Sequence, residues 1–271
     1  MTSPCEVHLY CSDESKSRAV AKEILMVAKG LEKKYNFYNP DSYLSLLNQR
    51  TENKLDRESR DLLSKVKLFY TKTEKIFDVT MGTLTASRKL PTLDAIEKEK
   101  ERLTPFLGTH HFQIKRDKLI FDNPYTLIDL GGVVKEYAVD QAIKIVKKAK
   151  IESALINFGG DIYALGLKPN GRAFSIGIKN PLNPKEYISS IEISNEALTT
   201  SASYERTHIR ETKEFSHIIS SLPLQEEILS ATVIASSTLE AGIFSTSFMI
   251  NFKLQNRLKK ILINKNLKII N

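Results

Sequence analysis

The segment IDLGGVVKEYAVDQAIKIVKKAKIESALINFGGDIYALG, residues 128–166, constrains the fold of this chain more than any other stretch. One apolar run ends at Asp129, Gly131 and Gly132. A helix follows, with Ala138, Val139, Ala142, Val146 and Ala149 at helical spacing, and a second apolar run ends at Asn157, Gly159, Gly160 and Asp161. The order is strand, glycine turn, helix, strand. Glycine pairs at both turns let backbone amides approach a bound group closely, as a phosphate cradle requires. Two tight turns flanking an ordinary helix remain the alternative, because short glycine motifs are frequent by chance.

Around this segment the pattern is mixed. A short strand over residues 6–10 precedes a helix capped by Ser15, with Val20, Ile24, Val27, Ala28 and Leu31 on its buried face. Residues 38–42 form a turn before LSLLN. A helix over residues 61–76 buries Leu62, Val66 and Phe69, residues 93–103 form a polar helix, and HFQIKRDKLIFDN reads as a hairpin with a charged turn. Residues 168–171, KPNG, predict a hairpin joining DIYALGL to AFSIGIK. Strands at EYISSIEI, ALTTSAS, FSHIIS and ATVIAS follow, and a last helix from Leu239 runs into an amphipathic, lysine-rich tail. Such an order belongs to the α+β class, with consecutive antiparallel strands in the second half.

The 271 residues allow one large domain or two small ones, and no linker argues for two. With 41% hydrophobic and 27% charged residues, neither disorder nor a fibrous class is expected. The net charge of +8 comes from lysines and arginines spread along the chain, without a base-reading motif, so no nucleic-acid partner is expected. A basic surface still attracts an anionic ligand. Cys5 and Cys11 lie too close along an extended strand for easy disulfide geometry, which fits a reducing compartment. No signal-peptide pattern and no apolar run of membrane-spanning length is present, so a cytoplasmic chain is the expectation. Neither glycine pair makes the G-x-G-x-x-G of a doubly wound dinucleotide fold, which weakens an oxidoreductase reading.

Five motifs, taken together, carry a resemblance. PDSYLSLLN, with Ser42 and Asn48, is similar to P-x-S-x-(L/I)-x-x-(L/I)-N, and FDVTMGTL, with Asp78, Thr80 and Gly82, to F-D-x-T-x-G-x-L. IDLGGVVKEYAVD resembles D-L-G-G-(I/V)-A-K-G-(Y/F)-A-x-D, and INFGGDIYALG resembles (I/V)-N-x-G-G-D-x-x-(A/V)-x-G. AGIFST stands where the pattern is A-D-x-x-(S/A)-T. These are the motifs of the ApbE family of FAD:protein FMN transferases, in family order along the chain. The resemblance implies a single ApbE-type, T-fold-like α+β domain over residues 1–271, with mixed or antiparallel sheets and packed helices. It also implies binding of FAD, with magnesium, and transfer of FMN to a threonine or serine hydroxyl of an acceptor protein, forming a phosphodiester and releasing AMP. Members of the family are often exported.

Carried over by position, the resemblance places flavin-nucleotide contacts at Asn48, Asp78, Thr80, Gly131, Gly132, Lys135, Asp140, Gly159, Gly160, Asp161 and Thr200. Lys135, His217 and Thr246 are the implied catalytic positions, and the metal positions are the Thr246 hydroxyl and the Val134 carbonyl. For Lys135 a phosphate contact and a surface salt bridge are both open; for His217, general base and structural histidine are. Three departures stand in the site. Gly242 replaces the metal aspartate, so magnesium binding is expected to be weakened or absent. Glu136 replaces a glycine and adds a negative charge beside the expected diphosphate, and Ser220 replaces the aspartate of H-I-I-D-P-x-T-G. A catalytically inactive flavin-binding or partner-binding homologue is the alternative reading that these departures support.

Overall fold

A computed structural model describes residues 4–85, 90, 92–202, 207–210, 213–216 and 227–270, with the backbone alone at 93, 207–210 and 213–216. The helices are α1 (Glu14–Lys34), α2 (Tyr43–Asn48), α3 (Arg57–Lys72), α4 (Gly82–Thr85), α5 (Leu93–Leu103), α6 (Val134–Lys148) and α7 (Thr238–Ile250). The strands are β1 (Cys5–Leu9), β2 (Phe112–Lys115), β3 (Lys118–Phe121), β4 (Ala154–Phe158), β5 (Asp161–Leu165), β6 (Phe174–Asn180) and β7 (Asn183–Ile193). They continue as β8 (Glu196–Ala202), β9 (Thr207–Arg210), β10 (Lys213–Ser216), β11 (Ile228–Ala235), β12 (Lys259–Asn264) and β13 (Ile269–Ile270). The α+β class expected from the sequence is borne out, with helices on antiparallel sheet.

Contacts divide the described residues into two compact units. One takes its described residues from Met1–Glu32, Val133–His217 and Gln225–Asn271, the other from Lys33–Gly132. One division falls between Gly132 and Val133, at the junction of the D-L-G-G turn and α6.

The first unit is built on a seven-stranded sheet in the order β1-β4-β5-β8-β11-β12-β13, antiparallel throughout. Alternation along each strand gives the sheet two faces with different cover. Ile162, Ala164, Leu198, Ile234 and Ile263 on one face join Phe174, Ile178 and Ile193 of the β6–β7 ribbon in a single apolar cluster. On the other face α7 packs against β8 and β11, and α6 against β4 and β5. The buried positions of α6 include Ala138, Val139, Ala142 and Val146, as its spacing predicts, while Ala149 is its half-buried C-cap. α7 is buried nearly all round, consistent with its lack of a polar face.

The second unit contains α2, α3, α4, α5 and the β2–β3 hairpin. α3 starts four residues earlier than its apolar spacing suggests, because Asp56 caps it by accepting from Ser59 N at 2.8 Å. It stops at Lys72, since Glu74 and Lys75 are left-handed, with φ of 53° and 69°. Leu62, Val66 and Phe69 are buried as expected.

Two local expectations are corrected. Asp13, not Ser15, caps α1, its carboxylate accepting from Lys16 N at 2.9 Å. Residues 168–171 do turn, with Lys168 N donating to Arg172 O at 2.8 Å, but β5 and β6 do not pair: β5 lies between β4 and β8, and β6 pairs with β7. The apolar positions of β5 are already covered within the large sheet, so a good turn does not make a hairpin. The lysine-rich tail adds β12 and β13 to the sheet, and Leu262 and Ile263 of β12 are buried.

Candidate functional site

The motif residues before Val133 lie in the second unit and hold its turns. Asn48, at the end of α2, clamps the backbone of Ile128 with both ends of its amide: Nδ2 donates to Ile128 O and Oδ1 accepts from Ile128 N, each at 2.8 Å. Asp78 accepts from Thr80 N at 2.8 Å and from Thr80 Oγ1 at 2.7 Å, and Thr80 Oγ1 accepts in turn from Gly108 N at 2.7 Å. Asp129 accepts from Gly131 N at 2.8 Å, and its own amide donates to Val79 O at 2.8 Å. Burial raises the carboxyls of Asp78 and Asp129 above the usual aspartate range. Gly131 and Gly132 are exposed.

In the first unit the charged motif residues Lys135 and Asp161 meet on the helix-covered face of the sheet. Lys135, in the first turn of α6, places Nζ 2.5 Å from Asp161 Oδ2 at the start of β5. Asp161 is carried there by a two-residue turn. Gly159 and Gly160 have φ of 60° and 95°, the paired left-handed geometry of a tight hairpin between Phe158 and Asp161, and Asn157 Oδ1 accepts from Gly160 N at 2.9 Å. This second glycine pair is a hairpin turn, as the plainer sequence reading has it.

Glu136 is buried beside this pair. Its carboxyl is pushed up to about 8, first by burial and then by the charge of Asp161, against the opposing pull of Lys135. Burial also raises Asp161, which Lys135 counters. Glu136 also touches α7: a Cβ added at Gly242 would lie 2.5 Å from Glu136 Cγ and 3.3 Å from Oε1. The two departures noted separately in the sequence are therefore one packing feature, in which a side chain at 136 occupies the space of a side chain at 242. Helix periodicity places Thr246 one turn along the same face of α7. Its Oγ1 lies 3.1 Å from Ser201 Oγ, which also meets Ser245 Oγ at 2.8 Å. Ser201 is a site neighbour that sequence reasoning missed, although the strand alternation of ALTTSAS carries the signal.

Asp140 and Thr200 hold hydrogen bonds within the protein. Asp140 caps α7, its carboxylate accepting from Thr238 N at 2.7 Å and Leu239 N at 3.1 Å. Thr200 is on the opposite face of β8 from Ser201, its Oγ1 2.8 Å from Thr232 Oγ1. His217 and Ser220 lie outside the described residues. Among the described residues no group of three or more His, Cys, Asp or Glu side chains is placed to hold a metal ion, and no helix is long and apolar enough to cross a membrane. Cys5 and Cys11 are not joined in a disulfide.

Residues 1–262 match the model of the ApbE family. The FAD:protein FMN transferase of Vibrio cholerae is 26% identical over 246 residues, which cover 86% of this chain and 74% of that protein. The FAD:protein FMN transferase of Chlamydia pneumoniae is 31% identical over 198 residues, 68% of this chain and 59% of that protein. Among solved structures, the ApbE protein of Thermotoga maritima matches with a TM-score of 0.85 at 24% identity, covering 97% of this chain and 92% of the other. The flavin transferase ApbE of Vibrio cholerae matches with a TM-score of 0.83 at 22% identity, covering 98% and 91%. With its α+β architecture, its motifs in order and a family match from residue 1 to 262, this chain belongs to the ApbE family.

Proposed function

We propose that this protein binds FAD and transfers its FMN half to a serine or threonine hydroxyl of an acceptor protein. The observation that carries the reading is Lys135, held by Asp161 in the first turn of a helix whose N-cap, Val133, supplies no side-chain hydrogen bond. A cation beside an uncapped helix start is a site for a diphosphate. In the reaction the acceptor oxygen bonds to the FMN phosphorus, the bond from that phosphorus to the bridging oxygen breaks, AMP leaves with the bridging oxygen, and the hydroxyl proton is lost to a base. His217 is proposed as that base. Lys135 neutralises charge on the phosphoryl oxygens, and Asp161 fixes the position of its ammonium.

The motifs that resemble the family's flavin contacts, Asn48, Asp78, Thr80, Gly131, Gly132, Gly159, Gly160 and Asp161, are proposed to shape the nucleotide site. For Asn48, Asp78 and Thr80 the hydrogen bonds above support a role in shaping backbone rather than direct contact. Magnesium, when bound, would supply Lewis-acid neutralisation of the diphosphate. Thr246 Oγ1 and the Val134 carbonyl are the proposed donors that survive from the family pattern, and the buried Glu136, its carboxyl raised to about 8, does not replace the missing carboxylate.

One observation favours the second reading, a flavin-binding homologue without transferase activity: Gly242 offers no carboxylate where the family pattern has one. Incubating the protein with FAD, magnesium and an acceptor domain, then weighing the acceptor, decides between them. A mass gain equal to FMN supports transfer; FAD binding with an unmodified acceptor supports the second reading.

A further inference from the structure

We infer that Arg50 is a positioning residue of the D-L-G-G turn, its guanidinium holding the backbone that leads to Gly131 and Gly132 so that their amides stand ready for the flavin nucleotide. The purpose of the two glycines rests on the proposed function; the positioning stands on hydrogen bonds within one compact unit. Arg50 follows Gln49, the C-cap of α2, in a Schellman arrangement: Arg50 N donates to Leu47 O at 3.1 Å and Thr51 N to Leu46 O at 3.2 Å. Its φ is 62°, a left-handed position that ordinarily belongs to glycine, so a long side chain stands there at a conformational cost. The side chain offsets that cost. Nη1 donates to Asn48 O, Nη2 donates to Asn123 O at 3.0 Å and to Thr126 O at 2.8 Å, and the guanidinium lies 3.9 Å from the centre of the Phe121 ring. Among the described residues no carboxylate pairs with Arg50, so its planar fork serves backbone carbonyls. Thr126 stands two residues before Ile128, which the Asn48 amide clamps, and Asp129 then accepts from Gly131 N. Arg50 and Asn48 together tie the end of α2 to residues 123–128, the run that delivers the turn.

Lys150 is a matched control within the same chain. It follows the C-cap of α6 with φ of 53°, Lys150 N donating to Lys147 O at 2.9 Å and Ile151 N to Val146 O at 3.2 Å, but its exposed side chain makes no hydrogen bond or ion pair among the described residues. If Arg50 only capped a helix, Arg50→Gly would behave like Lys150→Gly, since glycine suits both backbones. The unmodified chain, Arg50→Gly, Arg50→Lys and Lys150→Gly would be compared by amide hydrogen exchange of the peptide spanning residues 123–132, and by quenching of flavin fluorescence on titration with FAD. Arg50→Gly is expected to exchange at least tenfold faster in that peptide and to bind FAD at least tenfold more weakly. Lys150→Gly should stay within about twofold of the unmodified chain in both measurements. Arg50→Lys keeps the charge without the fork, should resemble Arg50→Gly, and decides the matter if Arg50→Gly does not fold. Exchange in residues 123–132 that is indifferent to position 50 overturns the inference. Full FAD affinity in Arg50→Lys overturns it as well, because charge rather than position would then be what counts. Faster exchange in the Arg50 variants of a chain that takes no FAD keeps the positioning and sinks the flavin reading, whereas FAD binding that no change at position 50 disturbs does the reverse.

Discussion

Glu136 and Gly242 show how one residue exchange is written at two places in a chain. With Glu136 present, Gly242→Asp forces a Cβ to within 2.5 Å of Cγ and brings a second carboxylate into a buried site. The single change should cost about 3 kcal/mol or more, from overpacking and unpaired charge together, and adding Glu136→Gly should recover most of that loss in urea unfolding. Glu136 also gives a pH dependence whose sign is fixed by its environment. Its carboxyl stands at about 8 in the folded chain against the ordinary glutamate value of 4.5, so across that interval the folded chain keeps a proton that the unfolded chain has released. Stability attributable to this group is therefore full below about 4.5, falls as pH rises, and is lost above about 8. The slope is at most about 1.4 kcal/mol per pH unit for one proton. In metal-free buffer, Glu136→Gln should flatten the pH dependence of the denaturant midpoint between pH 5 and 8; an unchanged slope would show that Glu136 is ionised in the fold.

At the scale of elements, side chains that resemble ligand contacts also hold turns. Asn48 satisfies both backbone groups of the fully buried Ile128, just before Asp129. Asn48→Ala should cost about 2–4 kcal/mol by leaving two buried groups unpaired. Asn48→Asp, which keeps an acceptor for Ile128 N but sets an oxygen against Ile128 O, should fall between; equal midpoints for all three chains would remove the clamp from the account. The elements themselves were largely legible. Periodicity located α1, α3 and α6, and their buried faces followed from Val20, Ile24, Val66 and Val146. Ends were harder, because caps compete locally: Asp13 and Ser15, or Asp56 and Asp61, offer the same chemistry a few residues apart. Pairing was hardest. The 168–171 turn has good turn chemistry, yet which strands it joins depends on cover supplied by distant β4 and β8. In the site, Lys135 and Asp161 were legible as residues, while the approach of Glu136 to Gly242 was not, since it arises from the crossing of α6 and α7.

At the scale of the whole molecule, a shared fold does not establish a shared reaction, and the test must separate Lys135 as a structural ion-pair partner from Lys135 as a phosphate ligand. Lys135→Gln alone confounds them. It removes the ammonium from the proposed phosphate contact, and it leaves Asp161, 2% exposed, as a buried carboxylate without that partner, a loss of about 3–5 kcal/mol in stability. The double variant Lys135→Gln with Asp161→Asn removes both charges and should recover much of the stability while leaving the proposed cradle neutral. If Lys135 serves phosphoryl transfer, FMN transfer in the double variant should remain about a hundredfold or more below that of the unmodified chain, the scale of losing one charge-stabilising donor, even though its unfolding midpoint is nearly restored. If transfer returns along with stability, the lysine's contribution is to the fold, and the diphosphate must be neutralised by other groups.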